Sequence, residues 1–133
     1  MIKVSVFYPN TEGKKFDMAY YCNKHIPMVQ QKLGAACKRV NVEQGLSGGQ
    51  PGSKATYIAM GHLYFDSVEA FQTAFGPHAE AIMGDIPNYT DIQPSIQISE
   101  VKIKVMLALY GTISTAATGS MPSCEWRGSL RGV

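Results

Sequence analysis

Four short runs of strand character, separated by two helical stripes, constrain this 133-residue chain more than any other feature. Ile2, Val4, Val6 and Tyr8 fall at period two, so residues 2–8 predict a strand. Pro9-Asn10 begins a turn that runs through Gly13, and Asp17 is placed to cap a helix. Met18, Cys22, Ile26, Val29 and Leu33 form the apolar stripe of that helix, which Gly34 closes. Residues 37–45 predict a second strand, with Val40 and Val42 on one face and Arg39, Asn41 and Glu43 on the other. Residues 47–54 are a loop by composition, and a third strand covers 56–65. Asp66 and Glu69 make a capping-box pattern ahead of Val68, Phe71, Ala74 and Phe75. Gly76-Pro77 breaks this helix, Ala79 to Met83 resume it, residues 85–89 turn, and residues 96–103 give the last strand. The order β-α-β-β-α-β is the ferredoxin-like, split-βαβ arrangement of an α+β fold. It predicts an antiparallel four-stranded sheet with both helices on one face.

Such a sheet has a second face. With Ile2, Val4, Val6, Val40 and Val42 toward the helices, Lys3, Ser5, Phe7, Arg39, Asn41 and Glu43 point away. Strand three is apolar on both sides. With Tyr57, Ala59, Gly61, Leu63 and Phe65 toward the helices, Ile58, Met60, His62 and Tyr64 join the open face. Phe7, Ile58, Met60 and Tyr64 are too apolar a set to leave in water. A second copy would cover them, so a homodimer enclosing a barrel-like cavity is expected.

Composition narrows the function classes. A net charge of +2 without a Lys or Arg block argues against nucleic acid. Cys22, Cys37 and Cys124 are odd in number and lack metal spacing, which predicts a reduced, cytoplasmic protein with Cys22 and Cys37 as buried small apolar residues. Residues 105–124 carry no charge, yet their glycines, proline and many hydroxyl residues make them too polar for a membrane span. Ser47-Gly48-Gly49-Gln50-Pro51-Gly52 lacks the context and the lysine of a phosphate loop. The histidines stand on separate elements without carboxylate spacing, so no metal, haem or other cofactor is expected.

One of the three histidines, His25, stands two residues before Pro27 in an otherwise helical run. Proline removes a backbone donor and crowds the preceding turn, so a kink or restart is expected there. Imidazole titrates nearest neutral pH, and burial would favour the neutral base. The alternative is a histidine bonded to a backbone carbonyl that stiffens the break. Tyr8, at a strand end, and Tyr21 are candidate donors to a substrate oxygen. His62, mid-strand with Met60 and Tyr64 on its face, is expected first as a structural interface residue, with a place lining the dimer cavity as the alternative.

Several motifs together resemble the EthD-like family of the dimeric α+β barrel superfamily. They are Val6-Phe7-Tyr8-Pro9, Phe16-Asp17-x-x-Tyr20-Tyr21-x-x-x-His25-x-Pro27, Phe65-Asp66-Ser67-x-Glu69-Ala70-Phe71, and Asp85-Ile86-Pro87-Asn88-Tyr89-Thr90-Asp91, within residues 1–103. The resemblance implies a homodimer with a cleft between each sheet and its helices. The family's name comes from a gene linked to degradation of ethyl tert-butyl ether, and related members are associated with polyketide dehydration or cyclisation. Muconolactone isomerases, cofactor-free monooxygenases and haem peroxidases share the superfamily, so fold alone selects no reaction. A place for Asp85 at the cleft comes from the resemblance, turn stabilisation being its ordinary role. Residues 104–133 lie outside the resemblance and are expected as an extension: an added element, a surface segment or a non-native tail.

The expected function is binding of a small apolar or aromatic carbonyl compound, with His25 as acid/base in a lyase, cyclase or isomerase step. Tyr8, Tyr21, His62 and Asp85 are the expected substrate contacts. A non-enzymatic accessory or small-molecule carrier, or a cofactor-free monooxygenase, is the alternative.

Overall fold

The alternation at the N-terminus builds β1 (Ile2–Pro9), the strand around which the sheet is organised in this computed structural model, which describes residues 1–105. The extension expected beyond residue 104 therefore falls, beyond Val105, outside the described residues. β1 is followed by α1 (Met18–Tyr20), a π-helical turn (Tyr21–His25) and α2 (Ile26–Leu33). Then come β2 (Arg39–Gln44), β3 (Tyr57–Phe65), α3 (Val68–Phe75), α4 (Ala79–Asp85) and β4 (Ser95–Glu100). All pairings are antiparallel and the strand order is β2-β3-β1-β4, the ferredoxin-like α+β fold.

The helices share one face of the sheet. Ile2, Val4 and Phe65 from the strands pack with Val29 and Leu33 of α2 and Ile82 of α4, and Phe71 and Phe75 of α3 close over them. A second cluster, toward the other end of β1, gathers Tyr8, Tyr21, Ala59, Tyr89 and Ile92. Asp17 caps α1 as expected, its carboxylate accepting from the Tyr20 amide at 3.0 Å. Gly34 ends α2 at φ +63°, where a side chain would be strained.

Four local expectations are corrected. Ser67, not Asp66, caps α3, its hydroxyl accepting from the Ala70 amide at 3.0 Å. The last strand stops at Glu100 rather than residue 103. The buried row of the first helix is Tyr21, His25, Val29 and Leu33, spaced four apart, while Cys22 is exposed and Cys37 half-buried. The π turn causes this, because its wider coil carries an extra residue and rotates the stripe away from the ordinary helical repeat. Finally, an irregularity between Tyr8 and Pro9 opposite β3 exchanges the faces of two residues. Tyr57 turns to the open face, 5.0 Å from the Phe7 ring, and Ile58 turns in against the Tyr8 cluster.

Candidate functional site

Pro27 has no amide hydrogen to give the carbonyl four residues before it, and its ring crowds that turn. The helix answers by widening: the Ile26 amide donates to the Tyr21 carbonyl, five residues back. π turns of this kind recur at functional sites. The consequence here is that Tyr21 and His25 stack on one another, ring centroids 5.7 Å apart, and both point into the core, 2 % and 5 % exposed. Tyr21 reaches the sheet because β3 carries Gly61 at that point. A Cβ there would stand 2.4 Å from the Tyr21 hydroxyl.

The second half of the site arrives from the segment after α4. Asp85 Oδ2 lies 2.8 Å from His25 Nδ1, while its Oδ1 accepts from the Tyr20 hydroxyl and the Asn88 amide, each at 2.8 Å. Tyr89 places its hydroxyl 2.6 Å from that of Tyr8 and its ring 4.7 Å from the His25 ring. This segment is tied to the start of the first helix. The Asp17 amide donates to the Tyr89 carbonyl, the Thr90 hydroxyl to the Lys15 carbonyl, and the Lys15 amide to Asp91 Oδ1. A two-residue bridge between Phe16 and Thr90 completes the clamp.

The electrostatics follow from this packing. Burial lowers the His25 pKa below its ordinary value and outweighs the pull of Asp85 in the other direction. Burial alone would raise the Asp85 carboxyl, but hydrogen bonds from His25, Asn88 and Tyr20 together hold it below the usual carboxylate range. Burial also pushes Tyr8, Tyr21 and Tyr89 far above the ordinary phenol value, so all three stay protonated as donors. A carboxylate only accepts, so His25 Nδ1 carries the hydrogen and Nε2 keeps its lone pair. A neutral imidazole backed by an aspartate is a competent proton acceptor.

Tyr8, Tyr21, His25, Val29, Gly61 and Ile86 are among the residues lining an apolar cavity of about 90 Å³ between sheet and helices. That is less than the ~150 Å³ pocket that admits benzene. Its volume suits a group smaller than a benzene ring.

Of the residues expected from the sequence, His25, Asp85, Tyr8 and Tyr21 come together here. His62 does not join them. It borders the cavity, but its side chain pairs across the opposite sheet face, with Nδ1 2.8 Å from Ser5 Oγ and Nε2 3.2 Å from Glu43 Oε1. Tyr89, Tyr20 and Asn88 were not anticipated as members of the site. All but Tyr20 lie in the Asp85–Asp91 stretch, which the sequence marked as a unit without showing what it faces. Among the described residues no cluster of side chains is suited to a metal ion, and no helix is long and apolar enough to cross a membrane.

Comparison with known proteins follows the same segments. The model of the EthD domain matches residues 11–93, which span the first helix through the Tyr89 clamp. An EthD-like protein from Ralstonia eutropha JMP134, solved by crystallography, is 50 % identical, with a TM-score of 0.75 over 78 % of this chain and 94 % of that one. An ethyl tert-butyl ether d (EthD) family protein from Bacillus halodurans C-125 is 21 % identical, with a TM-score of 0.60 over 77 % of this chain and 99 % of that one. The second shares the fold. No curated protein matches the chain.

Proposed function

The chain belongs to the EthD domain family, and on that premise we propose that it binds a small apolar or aromatic carbonyl compound and moves a proton on it. The observation that carries the reading is His25, held by Asp85 at 2.8 Å, on the wall of an apolar cavity that Tyr8 and Tyr21 also line. Such a compound enters with its carbonyl oxygen toward the phenol hydroxyls. His25 Nε2 takes a proton from the carbon beside the carbonyl, and the enolate oxygen accepts a hydrogen bond from a tyrosine. Asp85 holds the imidazole in register and steadies the imidazolium while it lasts. Return of the proton to another carbon is an isomerisation; loss of a β-substituent instead is a lyase step. A well-placed base of this kind contributes ~10²–10⁴-fold.

The reading includes a pair of copies joined through the open face of the sheet. Phe7, Tyr57, Met60 and Tyr64 are half-buried there, and a second sheet would remove them from water.

Deuterium exchange tests the proton step without knowledge of the true substrate. Small ketones and aryl ketones are incubated with the protein in D₂O, and loss of the α-proton is followed by NMR. Catalysed exchange is expected for some of them and is expected to fall by ~10²-fold or more in His25→Ala. A ligand retained without exchange, or exchange that survives the mutation, overturns the base assignment and leaves a carrier.

A further inference from the structure

The alternation that makes β4 a strand also leaves it an apolar side with little to cover it. Ile96 and Ile98 stand opposite Val6 and Val4 of β1, and so share the helix-facing side of the sheet. β4 is an edge strand, however, and the helices pack over the central strands. Val4 is therefore 2 % exposed, while Ile96 and Ile98 are 50 % and 42 % exposed.

Apolar side chains exposed singly are ordinary, but these two belong to one continuous depression. Ile96 and Met83 of α4, both exposed, line the apolar cavity that His25 also lines, so the cavity opens between α4 and β4. Beyond it lies a hollow of about 380 Å³ with Met1, Ile2, Val68 and Ile98 in its walls. Three elements carry the wall from one space to the next: Val4 to Ile2 on β1, Ile96 to Ile98 on β4, and Phe71 to Val68 on α3. Each step joins neighbours on the same face of a strand or helix.

We propose that this groove takes the alkyl tail of the substrate, a neutral straight-chain ketone whose carbonyl end occupies the cavity. The proposal rests on the reading of His25 as a base acting on a carbonyl compound, and gives that compound its class. A cavity of about 90 Å³ encloses less than a benzene ring, so the remainder of any larger molecule continues outward past Met83 and Ile96. Among the described residues that line the cavity none is Asp, Glu, Lys or Arg, so a charged group entering it would lose water without gaining an ionic partner. The outward path follows β4, where Ile96 and Ile98 stand ~7 Å apart, and an extended chain fits such a path. Copies joined through the open face leave the groove free, because it lies on the helix side.

Straight-chain methyl ketones from butanone to nonanone test this by calorimetric titration into the full-length protein, with α-proton exchange followed in parallel. Kd is expected to fall ~4-fold with each methylene that enters the groove, and to level off once the groove is filled. Ile98→Thr sits at an exposed position and keeps a β-branched residue in the strand, so folding is preserved. It should weaken nonanone binding about tenfold or more. Leu46→Thr, exposed outside the groove, should leave the whole series unaltered, which separates the groove from general adhesion to apolar surface. Affinity independent of chain length, or a gain with length that Ile98→Thr does not reduce, overturns the proposal. A flat series in which Ile98→Thr also converts a dimer to a monomer overturns it too, and gives the groove to a second copy. Affinity is read separately from exchange: a length-dependent Kd without His25-dependent exchange upholds the groove and removes the base, and the reverse result removes the groove alone.

Discussion

At the scale of single residues, Asp85 decides how the buried imidazole behaves. One of its oxygens holds His25 and the other is held by Tyr20 and Asn88, so the carboxylate cannot rotate away from the ring. The sign of the resulting pH dependence is fixed. Burial sets the His25 pKa below its ordinary 6.5, so on acidification the unfolded chain takes up a proton before the folded one does. Stability is complete above about pH 6.5 and is lost as pH falls through the lower, folded value. Asp85, whose carboxyl lies below its ordinary 3.8, adds a second loss as pH falls through its own folded value. Urea unfolding from pH 8 to pH 4 should show stability declining below pH 6.5, with the His25 part absent in His25→Gln. The exchange activity should fall on the same acidic limb, since only the neutral ring accepts a proton. His25 was legible from sequence because a proline two residues on disturbs any helix. Asp85 was marked for the cleft by the family resemblance alone; its pairing with His25 was not legible, since 60 residues separate them and no local pattern reports which turn meets which helix.

At the scale of elements, the first helix shows what local rules capture and what they miss. Asp17 and Gly34 marked its ends correctly, because capping depends on neighbours in sequence. The break at Pro27 was legible too, but not its form. The backbone stays helical throughout and widens at Tyr21–His25 rather than kinking. Periodicity reasoning assumes 3.6 residues per turn and so assigned Cys22 to the core, where the wider turn delivers Tyr21 and His25 instead. Pro27→Ala restores the missing amide donor, and the segment is expected to rewind toward regular α-helix. Helix content by circular dichroism and the melting temperature should hold or rise, while α-proton exchange drops about tenfold or more from the displaced ring. Strand β3 carries the comparable lesson, since the irregularity opposite Tyr8 exchanged Tyr57 and Ile58 in a way no alternation could signal.

At the scale of the whole molecule, the two faces of the sheet differ in kind. The order of strands and helices was readable because each element carries its own pattern, and the helix-facing core followed from it. The open face was readable only as unusually apolar. If copies pair through it, Phe7→Lys should yield a monomer in sedimentation at concentrations where the wild type is a dimer, with circular dichroism unchanged. A dimer that withstands the substitution would place the contact elsewhere. The interleaving of β1 and β3 has a further consequence. Tyr8 and Gly61 line the cavity, while Ser5 and His62, on the same two strands, pair on the other side. Deleting one residue from the middle of either strand would invert every later side chain and disrupt the cavity wall and the open face in a single event. Length variation, whether drifting in nature or introduced by an engineer grafting a tag or loop, is therefore confined to connections such as residues 45–56, and these two strands must be inherited as an indivisible pair.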